Sequence, residues 1–363
     1  MFKKEKIELC VKLFTVCLSL SMCFSSCSDE DHVSLREKEK EGVFQKEIDN
    51  RIGIMAKSLE WEESYDAENP GQSVIQQRIS PTVYTSREFI MMPNCYIGGV
   101  FTASSVKNLS FRPIVGNLKP IKVVYTFPGY FTDEFVPEGP VGMFASLGRA
   151  INSPSFKGKQ QLAFSYDYKE MTHYSELNLA FGAQANIGSI FSLGINVNKA
   201  VEKGKKALLA KISQKNFSVL MDYPKDGDPF VSKDAYNKAI ASNAVYVNSV
   251  TYGRCGIITI ESESSYEEIR TAFKAALSAK VVKGELALDA KYRDMLNKCQ
   301  IKIFIVGGEG EKATRAVEGF NEFKNFIISG GEFSREVPGV PITFTANKVS
   351  DLSVYENEFV VQQ

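Results

Sequence analysis

Residues 174–202 read YSELNLAFGAQANIGSIFSLGINVNKAVE, and their side chains alternate between apolar and polar over almost the whole stretch. From Leu177 onward the odd positions are apolar except Ser189 and Lys199, whereas the even positions are mostly polar or small. Successive side chains of a strand point to opposite faces, so this parity predicts a β-ribbon with one apolar and one wet face. The apolar odd positions are Leu177, Leu179, Phe181, Ala183, Ala185, Ile187, Phe191, Leu193, Ile195, Val197 and Val201.

The stretch is too long for one ordinary strand. Globular strands usually have about 5–6 residues, whereas a strand that crosses a bilayer needs roughly 9–11. Two such strands with a turn near Gly188 and Ser189 fill the stretch, which predicts an amphipathic hairpin long enough to span a membrane. The positions expected to face lipid are Leu177, Leu179, Phe181, Ala183, Ile187, Phe191, Leu193, Ile195 and Val197.

A helical interpretation of part of this stretch stays open. Apolar residues of its second half also fit one stripe of an amphipathic helix packed on a core. Short apolar periodicities do not separate helix from strand on their own. A sequence that satisfies both periods is what a switch from helix to hairpin requires. The residues of the helical stripe are Ile187, Ile190, Phe191, Gly194, Val197 and Val201.

The composition limits the classes of function. The chain has 363 residues, enough for about two domains with a substantial core. Its 43 Lys and Arg residues balance its 43 Asp and Glu residues, so no overall field favours nucleic acid. The only histidines, His32 and His173, nearly exclude His-based triads and His-rich zinc sites. We therefore expect no enzymatic activity, no metal, no cofactor and no nucleic-acid partner.

The amino terminus has the composition of a targeting segment. Lysines at 3, 4 and 6 precede an apolar run that is too short for a transmembrane helix, as in a removable signal peptide. The tetrapeptide FSSC at 24–27 resembles the lipobox of bacterial lipoproteins, which predicts that Cys27 carries lipid. We expect a lipoprotein signal peptide over 1–27, a charged tether over 28–80 and a folded body over 81–363.

The residues after Cys27 indicate a cellular location for the protein. The acidic run SDED at 28–31 resembles the surface-export signal of some Gram-negative lipoproteins, and an ordinary acidic linker is the alternative. The expected location is a lipid-anchored position on the outer membrane or cell surface of a Gram-negative bacterium, or else a released form.

Three cysteines remain in the body, namely Cys95, Cys255 and Cys299. No two of them have the spacing of a metal site or a redox motif. We therefore expect mostly buried, free thiols, with room for one disulfide after export.

Strand and helix signals alternate along the body, but two long segments that flank the central strands belong cleanly to neither class, and this asymmetry predicts an α+β body with two convertible clusters. Ser265 and Glu268 form a capping box that opens a helix over 265–279. A further apolar stripe predicts a helix over 311–329 that ends at the glycines 330 and 331. The segment 281–297, rich in Lys and Glu, fits neither class. Other expected elements are a helix over 141–151 and strands over 217–221, over 244–260 with a break at 253–256, and over 301–306.

Residues 246–254, YVNSVTYGR, are followed by ITIESES at 258–264 and AFKA at 272–275. Together they resemble the core signature of the thiol-activated, cholesterol-dependent cytolysins. The resemblance runs from about residue 84 to the end, and several short blocks in one order are more specific than any single block. The other blocks are NCYIGGVF at 94–101, PG at 128–129, FSVLMD at 217–222, IVGG at 305–308 and PGVPITF at 338–344.

The resemblance implies a pore-forming fold, in which a bent, twisted antiparallel sheet is flanked by helical clusters that convert to β-hairpins. The implied partners are the lipid of a target membrane and further copies of the chain in a ring. A strand can cross a bilayer only if its edges are paired, which a closed ring of hairpins achieves. Gly253, Gly307 and Gly308 are interpreted as hinge or oligomerisation positions, with an ordinary structural glycine as the alternative.

The sequence departs from the family pattern in two places. In the family, the late block precedes a long β-sandwich whose Trp-rich loop recognises sterol, whereas this sequence ends at Gln363 and its only tryptophan is Trp61. We expect the short, cytolysin-like form, in which a longer partner chain supplies membrane recognition and cholesterol is not bound directly. The charged second hairpin segment favours the alternative, a non-lytic surface lipoprotein that uses the scaffold for adhesion.

Overall fold

Two long antiparallel strands, Lys206–Met221 and Ala244–Ser262, form the centre of the fold in the computed structural model of the chain. The structure describes residues 82–157, 160–161, 164–184, 195–282, 284–307, 314–330 and 332–362, all within the unit Lys57–Gln363. Several expectations lie outside these residues and stay predictions. They concern the signal peptide with Cys27, the tether over 28–80, Ile187, Phe191, Leu193 and Gly308.

The elements are numbered in chain order over the described residues. The strands are β1 Thr82–Ser86, β2 Phe89–Ile90, β3 Val100–Thr102, β4 Ile121–Tyr125, β5 Phe131–Phe135, β6 Gln160–Gln161, β7 Ser165–Met171, β8 Lys206–Met221, β9 Ala244–Ser262, β10 Val281–Val282, β11 Glu285–Leu286, β12 Gln300–Val306, β13 Thr314–Glu318, β14 Glu332–Phe333, β15 Val340–Lys348 and β16 Asn357–Val361. The α-helices are α1 Ala103–Lys107, α2 Pro140–Asn152, α3 Leu177–Phe181, α4 Lys233–Ala241, α5 Tyr266–Ser278, α6 Ala290–Lys298 and α7 Phe320–Ile328. Short 3₁₀ turns cover Tyr174–Glu176 and Lys225–Gly227.

One antiparallel sheet of ten strands organises these elements. Its order is β13-β12-β9-β8-β4-β5, while β7 pairs with β8, β3 and β15 pair with β9, and β2 pairs with β15. The register of the β8 and β9 ladder shifts between Lys215 and Phe217, and the ladder of β9 with β15 shifts twice. Irregularities of this kind bend the strands that carry them. The expected α+β fold with a bent antiparallel sheet is confirmed.

The predicted break at 253–256 is wrong, because β9 runs through these residues as one strand. A Cβ at Gly253 would lie 1.9 Å from the backbone oxygen of Gln214 on β8, and a Cβ at Gly256 would lie 2.9 Å from Cζ of Phe326. The glycines therefore allow close packing inside the sheet rather than a turn. The strand predicted over 217–221 is likewise only the end of β8.

The sheet separates two hydrophobic cores. The first core receives odd-numbered residues of β8 such as Leu209, whereas the second receives even-numbered residues such as Leu208. Because both faces of the central strands are covered, these strands are apolar at both parities. Cys95 and Cys255 lie in the first core and Cys299 in the second, and all three are free, which confirms the expectation of buried thiols.

The structure confirms two of the predicted helices and corrects a third. The helix predicted over 265–279 is confirmed as α5, including the capping box of Ser265 and Glu268, and α2 confirms the helix over 141–151. The helix predicted over 311–329 is wrong in its first part, since β13 precedes α7. Pairing with β13 satisfies the outer edge of the buried strand β12, and local periodicity carries no information about that edge. None of the described helices is long and apolar enough to cross a membrane.

Candidate functional site

Four neighbouring strands end in one row of the sheet. Met171 of β7 pairs with Ala207 of β8. Ala207 also pairs with Glu261 of β9, which in turn pairs with Gln300 of β12. The first segment, residues 172–205, connects β7 to β8, and the second segment, residues 263–299, connects β9 to β12. Each segment joins antiparallel neighbours, so it can lengthen its two strands as a hairpin without a change of register.

The first segment is helical over residues 174–181. The 3₁₀ turn Tyr174–Glu176 leads into α3, which ends at Gly182 with a left-handed φ of 67°. The hairpin predicted over 174–202 is therefore wrong for these residues in this structure. Every residue of α3, at odd and even positions alike, is at most 9% exposed. A helix buried on all sides has no wet face, so this part is a short helix packed on the core. The helical stripe left open for the second half is not tested over residues 185–194, which lie outside the described residues, and its described members Val197 and Val201 are not in a helix.

The odd-numbered apolar residues over 177–183 and Ile195 are buried inside the structure rather than placed on a membrane-facing surface. The ring centroid of Phe181 is 5.3 Å from that of Phe304 on β12. Leu179 packs against Phe359 and Val361 of β16. These side chains can face lipid only if α3 leaves its present position. Those in the first core are Leu177, Phe181, Ala183 and Ile195, and Val197 packs against it.

Strand β16 and the residue after it hold α3 and the 3₁₀ turn that precedes it. Ser175 Oγ accepts a hydrogen bond from the backbone N–H of Gln362 at 2.9 Å and donates to its carbonyl oxygen at 3.1 Å. Asn357 Nδ2 donates to the carbonyl oxygen of Gly182 at 3.2 Å. Because β16 also pairs with β1 along its whole length, the ribbon of β1 and β16 fixes the start of the first segment.

Buried polar groups surround the amino-terminal end of α3. Oε1 of Glu176 accepts from the backbone N–H groups of Thr172 and His173 at 2.7 and 2.9 Å, and Oε2 lies 2.5 Å from Lys169 Nζ. Nδ1 of His173 accepts from the backbone N–H of Ser175 at 3.2 Å. Burial lowers the pKa of His173, although Glu176 opposes this shift. Sequence reasoning placed Glu176 on a wet face and missed this capping box, whose signal is a glutamate three positions after the capping residue.

A buried ion pair adjoins the carboxyl-terminal end of α3. Glu88, only 3% exposed, lies 3.7 Å from Lys211 Nζ and 3.2 Å from Lys215 Nζ, and it accepts a hydrogen bond of 2.9 Å from Thr343 Oγ1. A Cβ at Gly182 would lie 2.1 Å from the carbonyl oxygen of Glu88. Burial by itself raises the pKa of Glu88, but the two lysines and Thr343 bring it below its ordinary value. The pair therefore joins β8 to β15 where α3 ends.

The second segment covers the opposite face of the sheet. It consists of α5, the short hairpin of β10 and β11, and α6. Its buried leucines at 286, 288 and 296 lie in the second core, whereas Val281 and Val282 are exposed. The part at 281–297 that sequence left unassigned contains the short hairpin of β10 and β11 followed by most of α6. The two segments thus pack on opposite faces of the same central strands.

The glycines predicted to act as hinges occupy tightly packed positions. Gly307 follows β12 with a φ of 115°, and a Cβ there would lie 2.9 Å from Cγ of Arg254. Gly253 is in contact with Gly339, where a Cβ would lie 2.8 Å from the Cα of Gly253. These contacts explain why both positions require glycine, and their role as hinges stays a prediction.

The two outer edges of the four strands differ. The outer edge of β12 is covered by β13, from Lys302 opposite Glu318 to Val306 opposite Thr314. Strand β7 pairs with β8, and no other strand of the described residues pairs with its second edge. An open edge on one side and an edge covered by a short strand on the other are complementary in a head-to-tail assembly of copies.

Comparison with known proteins identifies the family. The family model for thiol-activated cytolysin matches residues 152–358, which include both segments and the strands β7, β8, β9 and β12. The chain therefore belongs to the thiol-activated cytolysins, a family of pore-forming toxins.

The match to each relative covers only part of this chain and only part of the relative. Tetanolysin of Clostridium tetani is 25% identical over 252 residues, which cover 65% of this chain and 47% of tetanolysin. Seeligeriolysin of Listeria seeligeri is 30% identical over 207 residues, which cover 53% of this chain and 37% of seeligeriolysin. The crystal structure of the human-specific toxin intermedilysin superimposes with a TM-score of 0.60 at 19% identity, over 78% of this chain and 63% of that chain, which supports the fold. The chain thus spans less than half the length of these two curated relatives.

Proposed function

We propose that this protein is a pore-forming surface lipoprotein, whose copies assemble edge to edge into a ring and insert the first segment into a target membrane as a β-hairpin. The observation that carries the proposal is the row of strand ends at Met171, Ala207, Glu261 and Gln300. Connections in compact domains usually have about 4–6 residues. Two much longer connections that leave one sheet at the same row are suited to extension of that sheet.

The first segment has the length that insertion requires. Residues 172–205 divide into two arms of about 17 residues, and each extended arm reaches ~56 Å at ~3.3 Å per residue. The hydrocarbon core of a bilayer is ~30 Å thick, and strands cross it at a tilt of ~45°. The arms are therefore long enough to start at the sheet, pass the headgroups and span the core.

The burial of α3 explains why insertion would occur at a membrane and not in water. Each large apolar side chain that leaves the first core for water loses about 1.5–3 kcal/mol of burial free energy. At a lipid surface, the odd-numbered side chains leave water again, so this loss is recovered there. Backbone groups in hydrocarbon must also be paired, which requires neighbouring copies on both sides of each hairpin.

Assembly requires the outer edge of β12 to become free. We assign this step to the departure of β13 and α7, after which β7 of the next copy pairs with β12. Gly307 and Gly308 lie in the link that would have to change conformation, and Gly253 lies in the neighbouring strand at the same level. Their proposed role is to let this link and the central strands change shape without side-chain collisions.

Anchoring of the protein and recognition of the target membrane are assigned to the amino terminus and to a partner chain. The lipobox-like sequence at 24–27 supports a lipid on Cys27 that anchors the chain at the outer membrane or cell surface. We assign recognition of the target membrane to a longer cytolysin-like partner chain, because the matched region of the relatives is less than half of their length.

A second candidate is a surface lipoprotein that uses the same scaffold for adhesion and forms no pore. The specific observation in its favour is the second segment, whose lysines and glutamates would be costly in hydrocarbon.

Dye release from liposomes tests the proposal. Residues 1–27 lie outside the unit Lys57–Gln363, so a chain that begins at residue 28 keeps that unit whole. This chain is added to dye-filled vesicles alone and then with a longer cytolysin-like homologue. Release only in the presence of the longer chain supports a two-component pore. No release in either case, with the fold verified by circular dichroism, leaves the adhesion function.

A pair of labelled variants tests the parity of the hairpin. Val197→Cys and Asn198→Cys each allow a polarity-sensitive fluorophore to be attached, the first at a half-buried position and the second at an exposed one. The three cysteines of the body are buried and do not compete for the label. In the pore, the label at 197 should respond to a quencher in the lipid phase and the label at 198 should not. Equal responses contradict the assignment of the odd residues to lipid.

A further inference from the structure

Arg254 is a partly buried cation beneath the elements that cover the edge of β12. It follows Gly253 in β9, and its guanidinium lies 4.9 Å above the ring of Phe326 in α7. Its Nη2 donates a hydrogen bond of 3.0 Å to Ser329 Oγ. The side chain therefore lies on the second-core side of the sheet, under the carboxyl-terminal end of α7.

The hydrogen-bonding capacity of Arg254 is mostly unused. Nε and Nη1 are buried without a partner, and within the described residues no carboxylate pairs with the guanidinium. Arg315 of β13 adds repulsion, so burial first and this second cation together lower the pKa of Arg254 to about 10. Lys211 shows the contrast, because that cation is also buried but lies beside the carboxylate of Glu88.

Arg254 lies against the carboxyl-terminal end of α7 and against the link that leaves β12. A Cβ at Gly307, where the chain leaves β12, would lie 2.9 Å from its Cγ. A Cβ at Gly330, just after α7, would lie 3.0 Å from its Nη1. Departure of β13 and α7 would expose the guanidinium to water on the side where these contacts now exclude it.

The balance of interactions at Arg254 is unfavourable in the closed structure. The favourable contacts are one hydrogen bond to a neutral hydroxyl, the stack on Phe326 and the nearby carbonyl end of a helix. Against them stand the partial desolvation of a full charge, two buried nitrogens whose N–H groups have no acceptor, and the repulsion by Arg315. Because Nε and Nη1 of this half-buried charge are themselves buried without acceptors, we infer that the second group of terms is larger.

We propose that Arg254 destabilises the cover formed by β13 and α7, and thereby sets the rate at which the edge of β12 becomes available to a neighbouring copy. The second half of this inference rests on the proposed edge-to-edge assembly, whereas the first half concerns the isolated chain. When the cover leaves, water can form the hydrogen bonds that the Arg254 guanidinium lacks in the closed structure. The free energy gained by this hydration offsets part of the free energy lost when β12 and β13 separate.

Hydrogen exchange of the isolated chain tests the first half. In Arg254→Met the apolar stem still packs on Phe326 and no donor is left unpaired. Exchange in peptides covering 314–328 should become roughly tenfold slower, since relief of one or two unpaired buried donors corresponds to a change of that size. Arg149→Met is the matched control, because Arg149 is already satisfied by Asp133 at 3.0 and 2.6 Å, and its loss should leave exchange at 314–328 unchanged.

Dye release tests the second half with the same variants. Slower exchange together with slower release in Arg254→Met supports the whole inference. Slower exchange with unaltered release by an active chain overturns the rate-setting role. If no chain releases dye, slower exchange still supports the effect on the cover while the proposed pore function fails. Unchanged exchange overturns the inference because it would show that Arg254 has no net effect on the cover. Faster exchange, or failure of Arg254→Met to fold, overturns it because either would show that Arg254 stabilises the structure.

Discussion

Asn178 is a polar residue that the closed structure does not need. It lies in α3, is 5% exposed, and its Oδ1 is buried without a hydrogen-bond partner. It also occupies an even position, which would belong to the wet face of the proposed hairpin. We predict that Asn178→Ala stabilises the closed structure and slows pore formation.

The magnitude follows from three contributions. Leaving a buried acceptor unpaired costs about 1–3 kcal/mol, and this penalty disappears in the variant. Alanine is a better helix former than asparagine by about 0.6 kcal/mol, and the smaller side chain leaves a cavity that costs ~1 kcal/mol. The net gain is about 1–2 kcal/mol, which corresponds to a rise in melting temperature of about 2–8 °C for a body of this size.

Thermal unfolding and dye release measure the two effects. Asn237→Ala is the matched control, because Asn237 is an exposed residue in the middle of α4, so its substitution changes helix propensity alone. If conversion must first undo the closed state, Asn178→Ala should release dye about 5–30 times more slowly. A melting temperature no higher than that of Asn237→Ala would refute the claim that Asn178 is a burden on the closed structure.

Three further outcomes are expected. Phe181→Ala should lower the free energy of unfolding in urea by about 3–5 kcal/mol, while Phe144→Ala, at a position 52% exposed, should stay within ~0.5 kcal/mol; similar values for the two would contradict the docking of α3. Gly253→Ala should lower it by more than ~3 kcal/mol, because its Cβ would lie 1.9 Å from the Gln214 oxygen, whereas Gly148→Ala has open space; equal melting temperatures would contradict this packing. Because the folded-state pKa of Glu88 is lowered, its ion pair contributes fully above the ordinary value of 4.5 and is lost as pH falls through the folded pKa. Glu88→Gln should therefore be less stable than the unmodified chain by ~3 kcal/mol at pH 7, and its stability should fall less on acidification. Melting temperatures of the two proteins that fall in parallel with pH would contradict this prediction.

The sequence predicted the elements whose determinants are local. The helix α5 follows from a capping box and one apolar stripe, and the buried thiols follow from spacing that suits no metal. The wrong predictions concern residues whose structure depends on distant partners. Local sequence predicts a break at Gly253 because only the fold brings Gln214 against it, and it predicts a helix at β13 because only the fold presents the edge of β12. Arg254 gave no signal, since an unpaired cation becomes unusual only when its surroundings are known.

The alternation of apolar and polar residues over 174–202 disagrees with the structure for a different reason. A helix buried on all sides would be served at least as well by apolar residues at even positions, yet Asn178 is buried there with an unpaired oxygen. Among the described residues, the closed structure therefore gives no reason for a polar residue at 178, and neither would adhesion through the same scaffold. A hairpin with one face to lipid and one to water requires it. The alternation is thus better explained by a second conformation than by the one in which these residues are folded here.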